Sequence, residues 1–196
     1  SKRLPGKVLK TLAGKSILEL IYKRLKKSKL INEIIFALPD NNSSIPIVDF
    51  LVNKNINYTL GSENNLISRY WIAANTTKAD YIVRITADCP FVEPTIIDFM
   101  LDKMLSSDID LITNVIPPSW PDGLDINIFT YKTLKLAFKE AKLDSEREHV
   151  VPWMWNNSNL NNKNTLKAFN FLAPMDISQY RWTLDTEEDY NFFSLT

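Results

Sequence analysis

The strongest constraint on this chain is a series of short apolar segments separated by stretches of helical period. Glu33-Ile34-Ile35-Phe36-Ala37-Leu38 is nearly continuous in apolar residues and is closed by Pro39-Asp40-Asn41. That is the composition of a strand buried on both faces, which occurs where helices cover both sides of a parallel sheet. Upstream, Ser16-Ile17-Leu18-Glu19 has the form of a capping box, and Leu18, Ile21 and Leu25 follow at helical spacing. Lys23, Arg24, Lys26 and Lys27 crowd the far end, where cations favour a helix terminus, so a helix is predicted over 16–28. Downstream the pattern predicts helix at 46–54, strand at 56–60, helix at 63–75 with Leu66, Tyr70 and Ala74 on one face, and strand at 80–87. Strand, helix and strand in repetition make βαβ units, hence an α/β fold around a mostly parallel sheet.

Past residue 90 the alternation continues and then loosens. Pro94 sits where a first helical turn tolerates it, Ile96 to Leu105 reads as helix, and Ile109 to Val115 as strand. Pro117, Pro118, Pro121 and Gly123 form a turn-rich crossing, followed by the alternation Leu124-Asp125-Ile126-Asn127-Ile128-Phe129, the pattern of a strand with one face exposed. A helix is predicted at 131–142, an aromatic-rich helical stretch at 145–155 and a polar surface loop at 158–165. Short strands at 166–172 and 181–184 and a capped helix from Thr186 to Leu195 complete the reading. No repeat or linker divides the chain, so residues 1–196 are read as one domain.

Charge and composition narrow the function. Lys and Arg number 23, Asp and Glu 23, so no global field attracts nucleic acid or an anionic membrane, and any polyanion must meet a local site. A single Cys forbids an intrachain disulfide, and with one His it leaves too few soft ligands for a structural zinc site, which fits a reducing cytoplasm. No apolar run reaches the roughly 18 residues that span a bilayer, and no signal-peptide pattern opens the chain.

Ligands of open α/β sheets bind outside the carboxyl ends of the strands. Asp88 follows the strand Tyr81-Ile82-Val83-Arg84-Ile85-Thr86, and Asp185 follows Arg181-Trp182-Thr183-Leu184, so distant segments can bring two acids to that edge. Two hard oxygen ligands suit Mg²⁺ bridging phosphates. The plainer readings are a turn residue before Pro90 and the acidic start of a helix. Ser1-Lys2-Arg3-Leu4-Pro5-Gly6-Lys7 joins cations to a Pro-Gly turn that can hold triphosphate oxygens, although a solvated basic terminus has the same composition. Gly-x-Gly-x-x-Gly, Gly-x-Ser-x-Gly, Walker A and His-Glu-x-x-His patterns are absent. His149 reads first as a hydrogen-bonded structural residue, Cys89 as a small buried filler, and Trp153 and Trp155 as helix packing.

Six blocks together resemble the spore-coat polysaccharide branch of the cytidylyltransferases, relatives of the CMP-sialate and CMP-Kdo synthetases. They are Ser1 to Leu9, Gly61-Ser62-Glu63 leading to Ser68-Arg69-Tyr70-Trp71, Arg84 to Pro90, Pro121-Asp122-Gly123-Leu124-Asp125, Ser145 to Val150, and Arg181 to Asp185. The resemblance implies a nucleotide-diphospho-sugar transferase fold, a Rossmann-like three-layer sandwich with a short β excursion that mediates dimer contacts. With the aromatic run Trp153 to Trp155, this makes a homodimer an expectation. It implies an Mg²⁺-dependent enzyme in which the anomeric hydroxyl of an acidic sugar attacks the α-phosphate of CTP, releasing pyrophosphate and giving a CMP-sugar for polysaccharide assembly. By likeness Arg3 and Lys7 hold the triphosphate, Arg69 lies near the nucleotide, and Asp88 and Asp185 hold Mg²⁺. Asp122, Asp125, Arg147, Glu148 and His149 face the sugar, where His149 either assists deprotonation of the hydroxyl or binds sugar.

The sequence departs from the family pattern at three places. Family members carry an apolar strand and an Ile-x-Ala/Gln-Arg-Met-x-Ser segment before the Arg-Leu-Pro-Gly-Lys block, and these residues start inside that block, so the sheet is expected without its first strand and first phosphate-binding arginine. Ala87 stands for a frequent Gly, and Asn127 where relatives often carry an acid. Two other functions fit parts of the pattern. A glycosyltransferase of related fold would show Asp-x-Asp at the sheet edge, but Asp108-Ile109-Asp110 precedes its strand instead of ending it. The other is a degenerate, non-catalytic nucleotide-sugar-binding domain.

Overall fold

A computed structural model describes residue 4 and residues 6–194. The first elements are β1 (Thr11–Leu12) and β2 (Lys15–Ser16), an antiparallel hairpin turning through Ala13 and Gly14, both at positive φ. Ser16 then caps α1 (Ile17–Leu25), its hydroxyl accepting the Glu19 amide at 3.2 Å. This is the predicted helix start, and Ile17, Ile21 and Leu25 are buried along one stripe. β3 (Phe36–Pro39), α2 (Ile45–Asn53) and β4 (Tyr58–Gly61) form the predicted βαβ unit, with Phe36 opposite Tyr58 and Leu38 opposite Leu60 in a parallel pair. α3 (Leu66–Thr77), β5 (Tyr81–Arg84) and α4 (Pro94–Leu105) follow, also where expected.

The second sheet has the order β5-β7-β6-β8, with β6 at Leu111–Thr113, β7 at Asn127–Thr130 and β8 at Ala168–Asn170. The fold is α/β, but the sheet is mixed where mostly parallel pairing was expected. β6 and β8 are parallel, whereas β7 runs antiparallel to both β5 and β6. The cause lies in the crossing. Residues 114–126 hold three prolines and no helix, and only a crossover helix readily returns a strand parallel to its predecessor. β7 is also shorter than its pattern. The Asn114 side chain occupies that stretch, donating to the Leu124 carbonyl and accepting the Ile126 amide, both at 2.8 Å.

Side chains alternate cleanly across this sheet. Ile112 and Ile128 point into a core completed by α1 and α4, while Leu111 and Phe129 point into a second core under α3, α5 (Tyr131–Glu140) and α7 (Val151–Asn156). That period of two, with helices on both faces, makes the three-layer sandwich. The helix predicted over 145–155 is two helices, α6 (Asp144–His149) and α7, broken at Val150 with φ 67°. Pro152 has no N–H to continue the ladder. Trp153 is buried in the second core and so packs the interior instead of offering aromatic surface to a second copy. A cavity of about 610 Å³ lies between β3 and β5, with Ile21, Arg69, Tyr70 and Leu101 in its walls. Among the described residues no helix is long and apolar enough to cross a membrane.

Residues 181–184 do not form the predicted strand. A single bridge joins Arg181 to Asp122, and α8 (Glu187–Ser194) begins shortly after. The two segments can touch because Gly123 has no side chain: a Cβ there would stand 2.5 Å from the Trp182 carbonyl carbon and 2.6 Å from the Thr183 nitrogen, at φ 106°. Both obstacles are backbone, so Gly123→Ala is expected to destabilise the fold by roughly 3 kcal/mol. Urea unfolding checks this, and a shift below about 1 kcal/mol would show that the loop moves aside freely.

Candidate active site

Lys7, Asp88 and Asp185 come together at the carboxyl edge. Lys7 opens a 3-10 turn, Lys7–Leu9, behind Gly6 at φ 67°, and is 9% exposed. Its ammonium donates to Asp88 Oδ2 at 3.2 Å and to Asp185 Oδ1 at 3.0 Å. Asp88 lies in the turn beyond β5, where the Cys89 amide donates to the Thr86 carbonyl at 3.2 Å. The Leu184 amide donates to the Asp88 carbonyl at 2.8 Å, tying the two acid-bearing segments by their backbones. Burial opposes ionisation of Asp88, but the Thr86 hydroxyl and the Lys7 ammonium together hold its carboxyl below the usual range.

The remaining candidates fall into three places. Arg69, on α3, packs its stem against Gly61, where a Cβ would meet its Cγ at 2.9 Å, and its buried Nε has no hydrogen-bond partner among the described residues. Asp125 is half-buried in the loop before β7; burial, then the charge of Asp122, pushes its carboxyl above the ordinary value. Asp122 is engaged within the protein: Thr183 Oγ1 donates to its Oδ1 at 2.7 Å and Arg181 to its Oδ2. Arg147, Glu148 and His149 are exposed on α6, which packs beside α3. No hydrogen bond or ion pair among the described residues links them to Lys7, Asp88 or Asp185. Arg3 lies outside the described residues.

Several participants escaped the sequence reading. Arg181 and Asp189 hold the Asp185 segment, with Asp189 Oδ2 accepting the Asp185 and Thr186 amides at 2.8 Å each. The Thr186-x-x-Asp189 spacing signals a helix cap, but nothing in the sequence pairs Arg181 with Asp122. Arg84 on β5 stands opposite Asn127, which is buried on β7; Arg84 Nε and Asn127 Oδ1 are both buried without a partner among the described residues. Asn127 is therefore an interior sheet residue.

Asp108 and Asp110 belong to the other end of the sheet. Asp108 pairs with Lys167, while Asp110 accepts the Lys167 amide on Oδ2 at 2.9 Å and the Thr130 amide on its carbonyl at 3.2 Å. Thr130 lies opposite Tyr81, the first residue of β5, so these acids fasten the amino ends of the strands, away from Asp88.

A family model described as cytidylyltransferase matches residues 1–192. The chain belongs to the cytidylyltransferase family. SpsF of Bacillus subtilis, a spore coat polysaccharide biosynthesis protein, is 28% identical over 97% of this chain and 79% of its own length. The uncharacterised protein MJ1063 of Methanocaldococcus jannaschii is 34% identical over 98% of this chain and 77% of its own. A solved cytidylyltransferase from Leptospira borgpetersenii superposes with a TM-score of 0.90 at 34% identity, covering 99% of this chain and 80% of that one. The fold is that of the nucleotide-diphospho-sugar transferases.

The donor set at the carboxyl edge fits a hard divalent cation. Two carboxylates already converge on one positive centre, and Mg²⁺ characteristically takes one or two carboxylates and fills its remaining positions with water and phosphate oxygens. Among the described residues no group of three or more His, Cys, Asp or Glu makes a closed metal cage. Cys89 beside it is buried, and burial pushes its thiol up to about 12. Alkylation of Cys89 by iodoacetamide is expected to run at least roughly 100-fold slower in the native protein than in urea. Comparable rates would show that the Asp88 turn opens readily.

Proposed function

We propose that this protein transfers CMP from CTP to an acidic sugar, releasing pyrophosphate and giving a CMP-sugar for surface polysaccharide assembly. The observation that carries this reading is the meeting of Lys7, Asp88 and Asp185 at the strand ends of a cytidylyltransferase-family fold. The anomeric hydroxyl oxygen forms a bond to the α-phosphorus and gives up its proton to water, the bond from that phosphorus to the bridging oxygen breaks, and the electron pair leaves with pyrophosphate. Such in-line transfer needs positioning and charge neutralisation more than a covalent nucleophile.

The residues divide the work accordingly. Lys7, with Arg3, holds triphosphate oxygens, and its ammonium exchanges carboxylate contacts for phosphate contacts as CTP enters. Arg69 lies at the nucleotide. Asp88 and Asp185 hold Mg²⁺, which when bound neutralises phosphate charge. Asp125, a half-buried acid in the loop before β7, together with Arg147, Glu148 and His149, faces the sugar. The opposite location of Asp108 and Asp110 removes the Asp-x-Asp argument for a glycosyltransferase.

With Mg²⁺ present, CTP at about 100 times its Kd adds about 2.7 kcal/mol of apparent stability, which raises Tm by roughly 5–10 °C in a chain of this size. ATP, GTP, UTP and UDP-sugars are expected to give much smaller shifts. A shift with UDP-sugars alone would make the protein a glycosyltransferase, and none with any nucleotide would leave a non-catalytic domain. Asp88→Asn is expected to lower kcat by roughly 100-fold or more with Tm nearly unchanged; undiminished turnover would remove Asp88 from the mechanism.

A further inference from the structure

The Asp185 segment belongs to neither sheet nor helix, yet it is held by a continuous chain of polar contacts. Asp122 and residues 180–182 are joined first through their backbones: the Asp122 amide donates to the Tyr180 carbonyl at 3.1 Å and the Trp182 amide to the Asp122 carbonyl at 2.6 Å. Side chains extend the connection. The Arg181 guanidinium reaches Asp122 with one terminal nitrogen, and with the other it donates to Asp189 Oδ2 at 3.3 Å. That Asp189 oxygen also accepts the Asp185 amide at 2.8 Å, and the Asp185 carboxylate receives Lys7 at 3.0 Å. One guanidinium thus joins the loop that carries Asp125 to the backbone of Asp185.

Helix capping alone does not account for this arrangement. Asp189 and Thr186 complete a reciprocal cap without Arg181, the Asp189 amide donating to Thr186 Oγ1 at 3.2 Å. Fold stability is also a weak explanation, because the Arg181 and Asp122 side chains are 45% and 50% exposed, and exposed ion pairs contribute little to folding. What the planar guanidinium supplies is fixed geometry: its two terminal nitrogens reach two separate carboxylates at once, at an angle set by the rigid fork.

We infer that Arg181, braced by Asp122 and Asp189, is a positioning residue that sets the Asp185 carboxylate for a divalent cation. The inference rests on the proposed role of Asp185 as a metal ligand. It also changes the reading of Asp122, from a sugar contact to the anchor of the brace. Groups behind a metal ligand commonly govern metal affinity by 10- to 100-fold, since a ligand out of place loses much of its coordination.

The test measures Mn²⁺ binding to the protein–CTP complex by electron paramagnetic resonance, with CTP affinity in the presence of chelator and Tm measured alongside. Arg181→Gln is expected to weaken Mn²⁺ binding roughly 10- to 100-fold, with metal-free CTP affinity within about twofold and Tm within about 3 °C. Arg181→Lys, which keeps the charge without the fork, is expected to give an intermediate loss, and it serves in place of the glutamine variant if that fails to fold. Asp185→Asn is the reference. If it binds Mn²⁺ as the parent does, Asp185 is not a ligand and the inference falls with that reading. If Asp185→Asn loses the metal while both Arg181 variants retain it within about twofold, the brace alone is overturned. A parallel loss of Mn²⁺ binding, metal-free CTP binding and Tm would also overturn it, by showing general loosening.

Discussion

Lys7 carries one positive charge, nearly buried, between carboxylates drawn from residues 88 and 185. Two acids this close in a poorly solvated place repel each other. The shared ammonium offsets that repulsion, and with the Thr86 hydroxyl it holds the Asp88 carboxyl below its usual value. A partly buried ion pair is a doubtful source of net stability, because desolvation offsets most of its attraction. Its value is different: it holds the two acids in a geometry that already suits a positive centre. In the proposed function Asp88 and Asp185 would hold a divalent ion, which would supply charge neutralisation, and Lys7 would bind phosphate oxygens.

That cluster forms because the fold delivers three separate chain segments to one edge. β5 ends at Arg84 and hands the chain to the Asp88 turn. β7, reversed, starts at the same edge, so the loop before it, carrying Asp122 and Asp125, lies beside that turn. The mixed pairing is thus what sets the Asp125 side of the site against the Asp88 side. Had the chain crossed by a helix to a parallel strand, the 114–126 crossing would have ended at the opposite edge, with Asp108 and Asp110.

Much of this was legible in the sequence because it depends on local periodicity. The capped start of α1, the βαβ unit of β3, α2 and β4, and the turn after β5 each follow from residues within a few positions of one another. Asp88 and Asp185 could be singled out because each ends an apolar run. What stayed hidden depends on contacts between distant segments. The reversal of β7 is decided by its neighbours, and the apparent strand at 181–184 is a bridge that Gly123 makes room for. The break at Val150 had a local signal in Pro152, outweighed by the helical composition around it. Arg181 lies 59 positions from its partner Asp122, beyond the reach of any periodicity argument.

The division of exposure across the candidate residues matches the roles proposed for them. Lys7 and Asp185 are close to fully buried, as suits groups that work through charge, since fields act most strongly where water is excluded. Arg147, Glu148 and His149 stand in solvent on α6. Exposed polar groups bring little binding energy until a substrate covers them, because water competes for every hydrogen bond. Arg69 is intermediate in exposure. It sits on α3, the helix against which α6 packs, and its half-buried guanidinium has no described ion-pair partner. Exposure thus rises from the Lys7 cluster through Arg69 to α6, so in the proposed function the buried charges fall to the phosphoryl chemistry and the exposed polar groups to the sugar.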